Sequence, residues 1–104
     1  MAETGRPPYG WAVVRGDSME PTLSAGDRLQ VSPRRRPRVG AVVVARFPDG
    51  TLAVKRAAQR RTTGWWLLSD DPRVGVDSRH RGPVADTEVV AVVLARIWPR
   101  PRRL

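Results

Sequence analysis

Two residues of this chain have side chains suited to hydrolytic chemistry: a serine in a turn-rich segment and the only lysine. Ser18 lies within residues 16–21, and Lys55 stands alone among eighteen arginines. A serine hydroxyl becomes a good nucleophile when a neighbouring base removes its proton. A buried lysine can lose its proton and act as that base, whereas arginine stays charged. The two residues are therefore candidates for a nucleophile and its base, although taken singly Ser18 would more simply cap the turn and Lys55 would be an ordinary strand residue.

Three sequence segments contain or follow these two side chains. They are Gly-Asp-Ser-Met-Glu-Pro at 16–21, Lys-Arg at 55–56, and a third block made of Ser-Asp-Asp at 69–71 and Asp-Ser-Arg at 77–79. In order and spacing, these segments resemble the motifs of the signal peptidase-like Ser/Lys proteases, the S26 and S24 types. The resemblance implies the family's small all-β catalytic core, built from short antiparallel strands.

The resemblance also implies a role for each segment. Ser18 is the expected nucleophile and Lys55 the expected general base. The residues expected to hold the oxyanion or contact the substrate are Val13, Gly16, Asp17, Met19 and Ser18 itself, through its backbone N–H. The expected supporting residues are Ser69, Asp77, Ser78 and Arg79. The chemistry requires the pKa of the lysine to fall from about 10.4 to about 7 to 8, through burial.

Two positions depart from the family's third block. Gly75 stands where bacterial signal peptidases often carry a serine that orients the lysine, and the usual Gly-Asp-Asn is Ser-Asp-Asp here. Another group must therefore orient Lys55, and Ser69, Ser78 or a bound water are the alternatives. The change at Ser69 also puts the usual turn geometry of this block in doubt.

The composition excludes several other kinds of site. The chain has no cysteine and one histidine, so disulfides, thiolate nucleophiles and a multi-histidine metal site are ruled out within one chain. We therefore expect no metal and no other cofactor. His80 would complete a serine triad with Ser18 and Asp77, but a solvent-facing imidazole is the simpler interpretation.

The chain is strongly basic, with a formal net charge of +9. This charge favours anionic partners without identifying one. Residues 34–36 are three consecutive arginines in a loop predicted at 33–38. They would contact acidic lipid, nucleic acid or a partner protein, or simply form a solvated loop.

Apolar patterning predicts six strands, at residues 10–15, 27–32, 41–47, 51–57, 64–69 and 88–98, although the last has a composition that also permits a helix. Pro-Asp-Gly at 48–50 predicts a hairpin that carries Lys55 on its second strand. We expect a flexible segment at 1–9, a protease domain at 10–98 and a frayed basic tail at 99–104. The substrate peptide is expected to bind beside a strand edge at 10–14.

Two pairs of residues have specific structural predictions. Trp65 and Trp66 are expected on opposite faces of their strand, with one of them in the core. Asp77 and Arg79 would share one face of an extended segment and form a structural ion pair.

The predicted function is a serine endopeptidase that removes an amino-terminal extension from a protein precursor. Among signal peptidase-like proteases, the chain resembles most the nickel-type superoxide dismutase maturation proteases, which implies the nickel superoxide dismutase propeptide as substrate. No apolar run reaches the roughly 20 residues of a membrane span, and we expect a cytoplasmic location. The alternatives are the catalytic part of a general signal peptidase, a repressor-type autoprotease, and a non-enzymatic SH3-like module that binds nucleic acid.

Overall fold

Seven antiparallel strands form one sheet in residues 7–104, the part of the chain that the computed structural model describes. The strands are β1 (Gly10–Val13), β2 (Arg28–Ser32), β3 (Val42–Arg46), β4 (Leu52–Arg61), β5 (Gly64–Leu68), β6 (Val89–Trp98) and β7 (Arg102–Arg103). Their order across the sheet is β1-β2-β6-β3-β4-β5, and β7 pairs with β6. The all-β prediction is confirmed. Residues 1–6 of the predicted flexible segment lie outside the described residues.

Strands β3 and β4 form the predicted hairpin, with Val43 opposite Lys55. The turn is closed by hydrogen bonds from the backbone N–H of Phe47 to the carbonyl oxygen of Thr51, at 2.9 Å, and from Gly50 to Phe47, at 2.8 Å. Gly50 has a φ of +88°, which an L side chain rarely adopts. The Pro-Asp-Gly sequence therefore places Lys55 in the middle of β4, next to β3.

The core consists of two clusters of buried side chains. The first is formed by Val14, Met19, Leu23, Leu29, Val31, Val42, Ala91 and Val93. The second is formed by Val43, Ala45, Phe47, Ala57, Trp65, Leu67, Val84 and Val92. Successive residues of β3 and β6 belong to different clusters because side chains alternate between the faces of a strand. Both strands are therefore buried on two faces, which explains their continuous apolar runs.

For residues 88–98 the sequence permitted two interpretations, a strand or a helix. Residues 89–98 are a strand paired with β2, β3 and β7, so the helical alternative is wrong. The tryptophan prediction is consistent with the structure as well, since Trp65 is 6% exposed in the second cluster. Trp66 is half-buried, and the guanidinium of Arg61 lies 4.4 Å from its ring centroid.

Two segments differ from the sequence-based prediction. The expected extended segment around Asp77 is instead a single helical turn, α1 (Ser78–Arg81), with Asp77 as its N-cap. The Asp77 carboxylate accepts a hydrogen bond from the N–H of Arg79, and the His80 side chain accepts one from the N–H of Asp77. This capping of the helix start favours the helical turn over an extended segment. The tail is not frayed throughout, because Arg102 and Arg103 pair with Arg96 and Ala95 of β6.

Candidate active site

Ser18 lies in a turn that follows β1, and its backbone is held from two sides. Its carbonyl oxygen accepts a hydrogen bond from the N–H of Asp71 at 2.9 Å. The next residue, Met19, is 1% exposed in the first core cluster, and its carbonyl accepts from Leu23 at 2.9 Å. Gly16, with a φ of +74°, lets the chain reverse before the serine. The hydroxyl is therefore presented from a turn anchored in the core.

Lys55 projects from β4 into a mostly apolar environment. It is 3% exposed, and Ala53 and Ala57 flank it on the same face of the strand. The Nζ atom lies 3.0 Å from the Oγ atom of Ser18 and 3.0 Å from the Oγ atom of Ser69. The two residues singled out in the sequence thus come within hydrogen-bonding distance across 37 positions of chain.

Burial lowers the pKa of Lys55 below its usual value, because the charged ammonium loses its hydration. The negative charge of Asp77 opposes this shift, and the positive charge of Arg79 reinforces it. A lowered pKa increases the fraction of neutral amine near neutral pH. This is the protonation state in which the nitrogen can accept a proton from a hydroxyl group.

Gly75 packs directly against the serine and the lysine. A Cβ atom at this position would lie 3.0 Å from the Cβ of Ser18 and 3.3 Å from Nζ of Lys55. The φ of Gly75 is +81°, so a serine there would be strained as well as crowded. In this chain the second hydroxyl beside the lysine comes from Ser69 instead. Of the three alternatives for orienting Lys55, Ser69 is the side chain that touches it.

The supporting residues form one connected network behind the lysine. Asp77 is fully buried, and its carboxylate accepts hydrogen bonds from the N–H of Ser69 at 2.9 Å and from the N–H of Arg79 at 3.0 Å. Burial of Asp77 tends to raise the pKa of its carboxyl, but the hydrogen bonds of Arg79 and Ser69 lower the pKa to about 2. Ser78 accepts from the N–H of Leu67 at 2.8 Å. The predicted ion pair of Asp77 with Arg79 is present, built on a helix cap.

His80 takes part in this cap. Its Nδ1 atom accepts a hydrogen bond from the N–H of Asp77 at 3.4 Å, and its side chain is 54% exposed. It forms no hydrogen bond with Ser18 in the described residues and does not line the cavity beside that serine. The geometry therefore gives no support to the triad alternative.

The sequence did not predict a second hydrogen-bond network, which is centred on Asp70. Asp70 accepts hydrogen bonds from Thr22 at 2.5 Å and from two guanidinium nitrogens of Arg56, at 2.6 and 3.1 Å. Burial would raise the pKa of Asp70, but these hydrogen bonds lower it. The network ties the Ser18 turn, strand β4 and the third block together. Arg56 belongs to the Lys-Arg motif, which indicated a role for it, whereas nothing in the sequence indicated a role for Thr22.

A cavity of about 930 Å³ opens beside the serine and the lysine. Its walls come from β1, the β3–β4 hairpin and residues 74–76. Val13, Gly16, Asp17 and Ser18, four of the residues predicted to contact substrate, all line it. Met19 does not line it, because its side chain is in the core. Its side chain anchors the turn in the first core cluster.

Two features suit this cavity to an extended peptide. Within residues 7–104, strand β1 pairs with β2 alone, so its other edge is open to the cavity in this part of the chain. The backbone N–H of Ser18 donates to no acceptor in the described part of the chain and is available to a ligand. An open strand edge binds extended peptides through backbone hydrogen bonds. A free N–H beside a nucleophile can stabilise an oxyanion.

Metal-ion chemistry has no obvious ligand set here. Among residues 7–104, no group of three or more histidine, aspartate or glutamate side chains is arranged to hold a metal ion. In the same range, no helix has the length and apolar character needed to cross a membrane.

Comparison with known proteins decides the family. The family model described as Peptidase S24-like matches residues 3–94, which is most of the chain. The chain belongs to the S24-like peptidase family. This S24-like peptidase is also 30% identical over 118 aligned residues to mitochondrial inner membrane protease subunit 1 of Schizosaccharomyces pombe, with 86% of the chain and 73% of that protein covered. The resemblance to signal peptidase-like proteases is confirmed at the family level, and a peptidase acts on a protein substrate.

Proposed function

We propose that this peptidase is a serine endopeptidase in which Ser18 is the nucleophile and Lys55 the general base. The observation that carries the proposal is the 3.0 Å distance between Nζ of Lys55 and Oγ of Ser18. A base must be within hydrogen-bonding distance of the proton it removes, and this distance satisfies that requirement. The burial that lowers the pKa of the amine supports the same role.

The reaction follows from the positions of these groups. Neutral Lys55 takes the hydroxyl proton of Ser18 as Oγ attacks the carbonyl carbon of the scissile peptide bond. The oxyanion that forms accepts a hydrogen bond from the N–H of Ser18. When the carbon–nitrogen bond breaks, the ammonium returns its proton to the leaving amine. Water then attacks the acyl-serine with the amine again acting as base, which releases the new carboxylate and restores the hydroxyl.

Ser69 is proposed to orient the base. A neutral amine has one lone pair, and it must point toward Ser18 to accept the proton. An N–H of Lys55 that donates to Oγ of Ser69 at 3.0 Å constrains the rotation of the amine. The N–H of Ser69 in turn donates to Asp77, which fixes the position of that serine. Asp77 and Arg79 act through Ser69 and have no contact with the reacting atoms.

The proposed substrate is a protein precursor with an extended amino-terminal segment. The open edge of β1 and the cavity beside Ser18 suit an extended chain. The sequence resemblance makes the precursor of a nickel superoxide dismutase the first client to test. The name of the S. pombe relative, a subunit of a mitochondrial inner membrane protease, specifies no substrate. Other precursors with amino-terminal extensions are therefore tested beside the superoxide dismutase precursor.

The test is co-expression of the chain with a nickel superoxide dismutase precursor, followed by mass spectrometry of the client's amino terminus. We expect a single new amino terminus with the wild-type chain, and no processing with Ser18→Ala or Lys55→Arg. Arginine preserves the charge of lysine but cannot accept the proton. Ser24→Ala serves as the matched control, since Ser24 lies in a nearby turn outside the cavity.

Retained processing by Lys55→Arg would refute the proposed base. If other precursors were cleaved at their amino-terminal extensions and the superoxide dismutase precursor stayed intact, the proposed roles of Ser18 and Lys55 would stand. The proposed substrate would then be wrong.

A further inference from the structure

The arginines of the described residues differ in whether a carboxylate lies nearby. In residues 7–104, seven arginines lie within ion-pair distance of an aspartate or glutamate: Arg46, Arg56, Arg60, Arg73, Arg79, Arg81 and Arg96. By contrast, the side chains of Arg35, Arg36, Arg38 and Arg103 have no carboxylate partner in the described part of the chain. Arg15, Arg28, Arg61, Arg100 and Arg102 also have no such partner in residues 7–104. Arg35, Arg36, Arg38 and Arg103 differ from them because they line a common groove.

These four arginines border one groove of about 1050 Å³. The basic loop forms one side and the end of the chain, with Arg103 in β7, forms the other. The floor is strand surface, with Gln30 of β2 and Leu94 and Ala95 of β6. No aspartate or glutamate side chain lines the groove. Like charges held around a concave surface raise the local potential and attract a negatively charged ligand.

We propose that this groove binds an acidic segment of a protein, with acidic side chains on the arginines and apolar side chains on the strand floor. The planar guanidinium group forms two parallel hydrogen bonds with a carboxylate, which suits glutamate and aspartate. Leu94, Ala95 and Ala41 provide an apolar surface between the arginines for the intervening side chains. The inference does not depend on the peptidase mechanism.

The lining of the groove distinguishes this ligand from nucleic acid and from a membrane. Proteins that bind single strands stack bases on aromatic side chains, and no aromatic residue lines the groove. A lipid bilayer is flat on this scale, whereas the arginines surround a concave surface. An extended acidic peptide satisfies both observations.

The groove and the candidate active-site cavity are separate but connected by the chain. They share no lining residue. The loop links them, since Pro33 lines the cavity and Arg35 and Arg36 line the groove. A protein can therefore occupy the groove while another part of it lies beside Ser18.

The test measures binding of a fluorescein-labelled peptide of repeating Glu-Glu-Leu to the full chain by fluorescence anisotropy. We expect binding that weakens as the salt concentration rises, because the charges are exposed. Replacement of Arg35, Arg36 and Arg38 by Gln is expected to weaken binding by about tenfold, from the loss of three exposed charge pairs. The active-site variant Ser18→Ala is used throughout, so that the peptide cannot be cleaved and failure of the proposed function does not affect the result.

The matched control replaces Arg61, Arg73 and Arg100 by Gln, which removes the same net charge outside the groove. We expect this variant to bind the peptide within about twofold of the parent affinity. Equal loss in both triple variants, or no binding by the parent, would overturn the proposal. We would also abandon the proposal if a single-stranded oligonucleotide, or vesicles containing phosphatidylserine, bound the parent more tightly than the peptide does and lost this binding in the groove variant. Urea unfolding of both variants checks that each is folded.

Discussion

At the scale of single residues, the central feature is a lysine that is 3% exposed and within hydrogen-bonding distance of two serine hydroxyl groups. Charged lysine is rarely buried without a carboxylate contact, and no described aspartate or glutamate lies within ion-pair distance of Nζ. The cost of dehydration therefore falls on the ammonium form. Burial therefore lowers the pKa of Lys55 and increases the share of its neutral form.

The pH dependence of cleavage tests this state of Lys55. Only the neutral amine accepts the serine proton, so the rate is expected to rise with pH through the lowered pKa and then to level off. The plateau should begin below about pH 10.4, the usual lysine value. The measurement is the initial rate of precursor cleavage from about pH 6 to about pH 10. A rate that rises up to about pH 10 with no levelling would contradict a lowered pKa.

Ser69→Ala tests the proposed orienting residue. The variant removes the hydroxyl that accepts from Lys55, and we expect kcat to fall by about tenfold or more with little change in KM. The hydroxyl also favours the ammonium form, so its loss should move the rising limb of the pH profile to lower pH. Ser69→Thr keeps a hydroxyl group and is expected to recover much of the rate. A lower rate with an unmoved pH profile and no recovery by threonine would indicate a purely structural role.

At the scale of elements, short turns hold the strands that carry the site. Two of these turns use glycine with positive φ for different reasons. Gly50 has a φ of +88° in the β3–β4 hairpin, with open space where a Cβ would lie. Gly64 has a φ of +142° at the start of β5, and a Cβ there would lie 2.1 Å from the carbonyl oxygen of Val84. The second position is constrained both by conformation and by backbone packing.

Alanine at each position separates these two effects. Gly50→Ala is expected to lower the free energy of unfolding by about 1 kcal/mol, the cost of a positive φ. Gly64→Ala is expected to cost about 3 kcal/mol or more, because the backbone of residues 84 and 85 must also move. Urea unfolding followed by tryptophan fluorescence measures both. Equal costs would show that the close approach to Val84 has no energetic consequence.

At the scale of the whole molecule, the carboxylates are held in a basic surface. The pKa values of five aspartates are lowered, largely through hydrogen bonds with arginine or with backbone N–H groups: Asp49, Asp70, Asp71, Asp77 and Asp86. Asp49 and Asp86 are exposed, so the contribution of their ion pairs to stability is small. The buried Asp77, with a pKa of about 2, provides the clearest link between pH and stability.

The sign of that link follows from proton binding. The folded state binds the Asp77 proton less readily than the unfolded chain, whose aspartate has a pKa of about 3.9. The stability that Asp77 contributes is present above about pH 4 and is lost as the pH falls toward about 2. We expect the free energy of unfolding in urea to fall over this window. Asp77→Asn should reduce the dependence between these two pH values, and an unchanged slope would contradict the prediction.

The sequence by itself predicted the parts of this protein that depend on short stretches of chain. Alternating and continuous apolar runs indicated the strands, and Pro-Asp-Gly indicated the hairpin that carries Lys55. The unique lysine and the Ser-Met-Glu-Pro turn identified the two candidate site residues before their distance was known. These features are local, because side-chain alternation and turn conformation depend on neighbours along the chain.

Only the tertiary structure decided which groups surround the amine. Ser69 rather than Ser78 lies beside Lys55, and Gly75 leaves no room for the family's usual serine. The helical turn after Asp77 and the pairing of the tail with β6 also escaped prediction. The helical turn is a local capping box of Asp77 and His80, and the tail pairs with nearby residues of β6. The burial of Lys55, by contrast, is set by how strands distant in sequence pack around it. The physical reason is that dehydration and hydrogen-bond distances arise from packing in three dimensions. No single segment of the chain determines that packing.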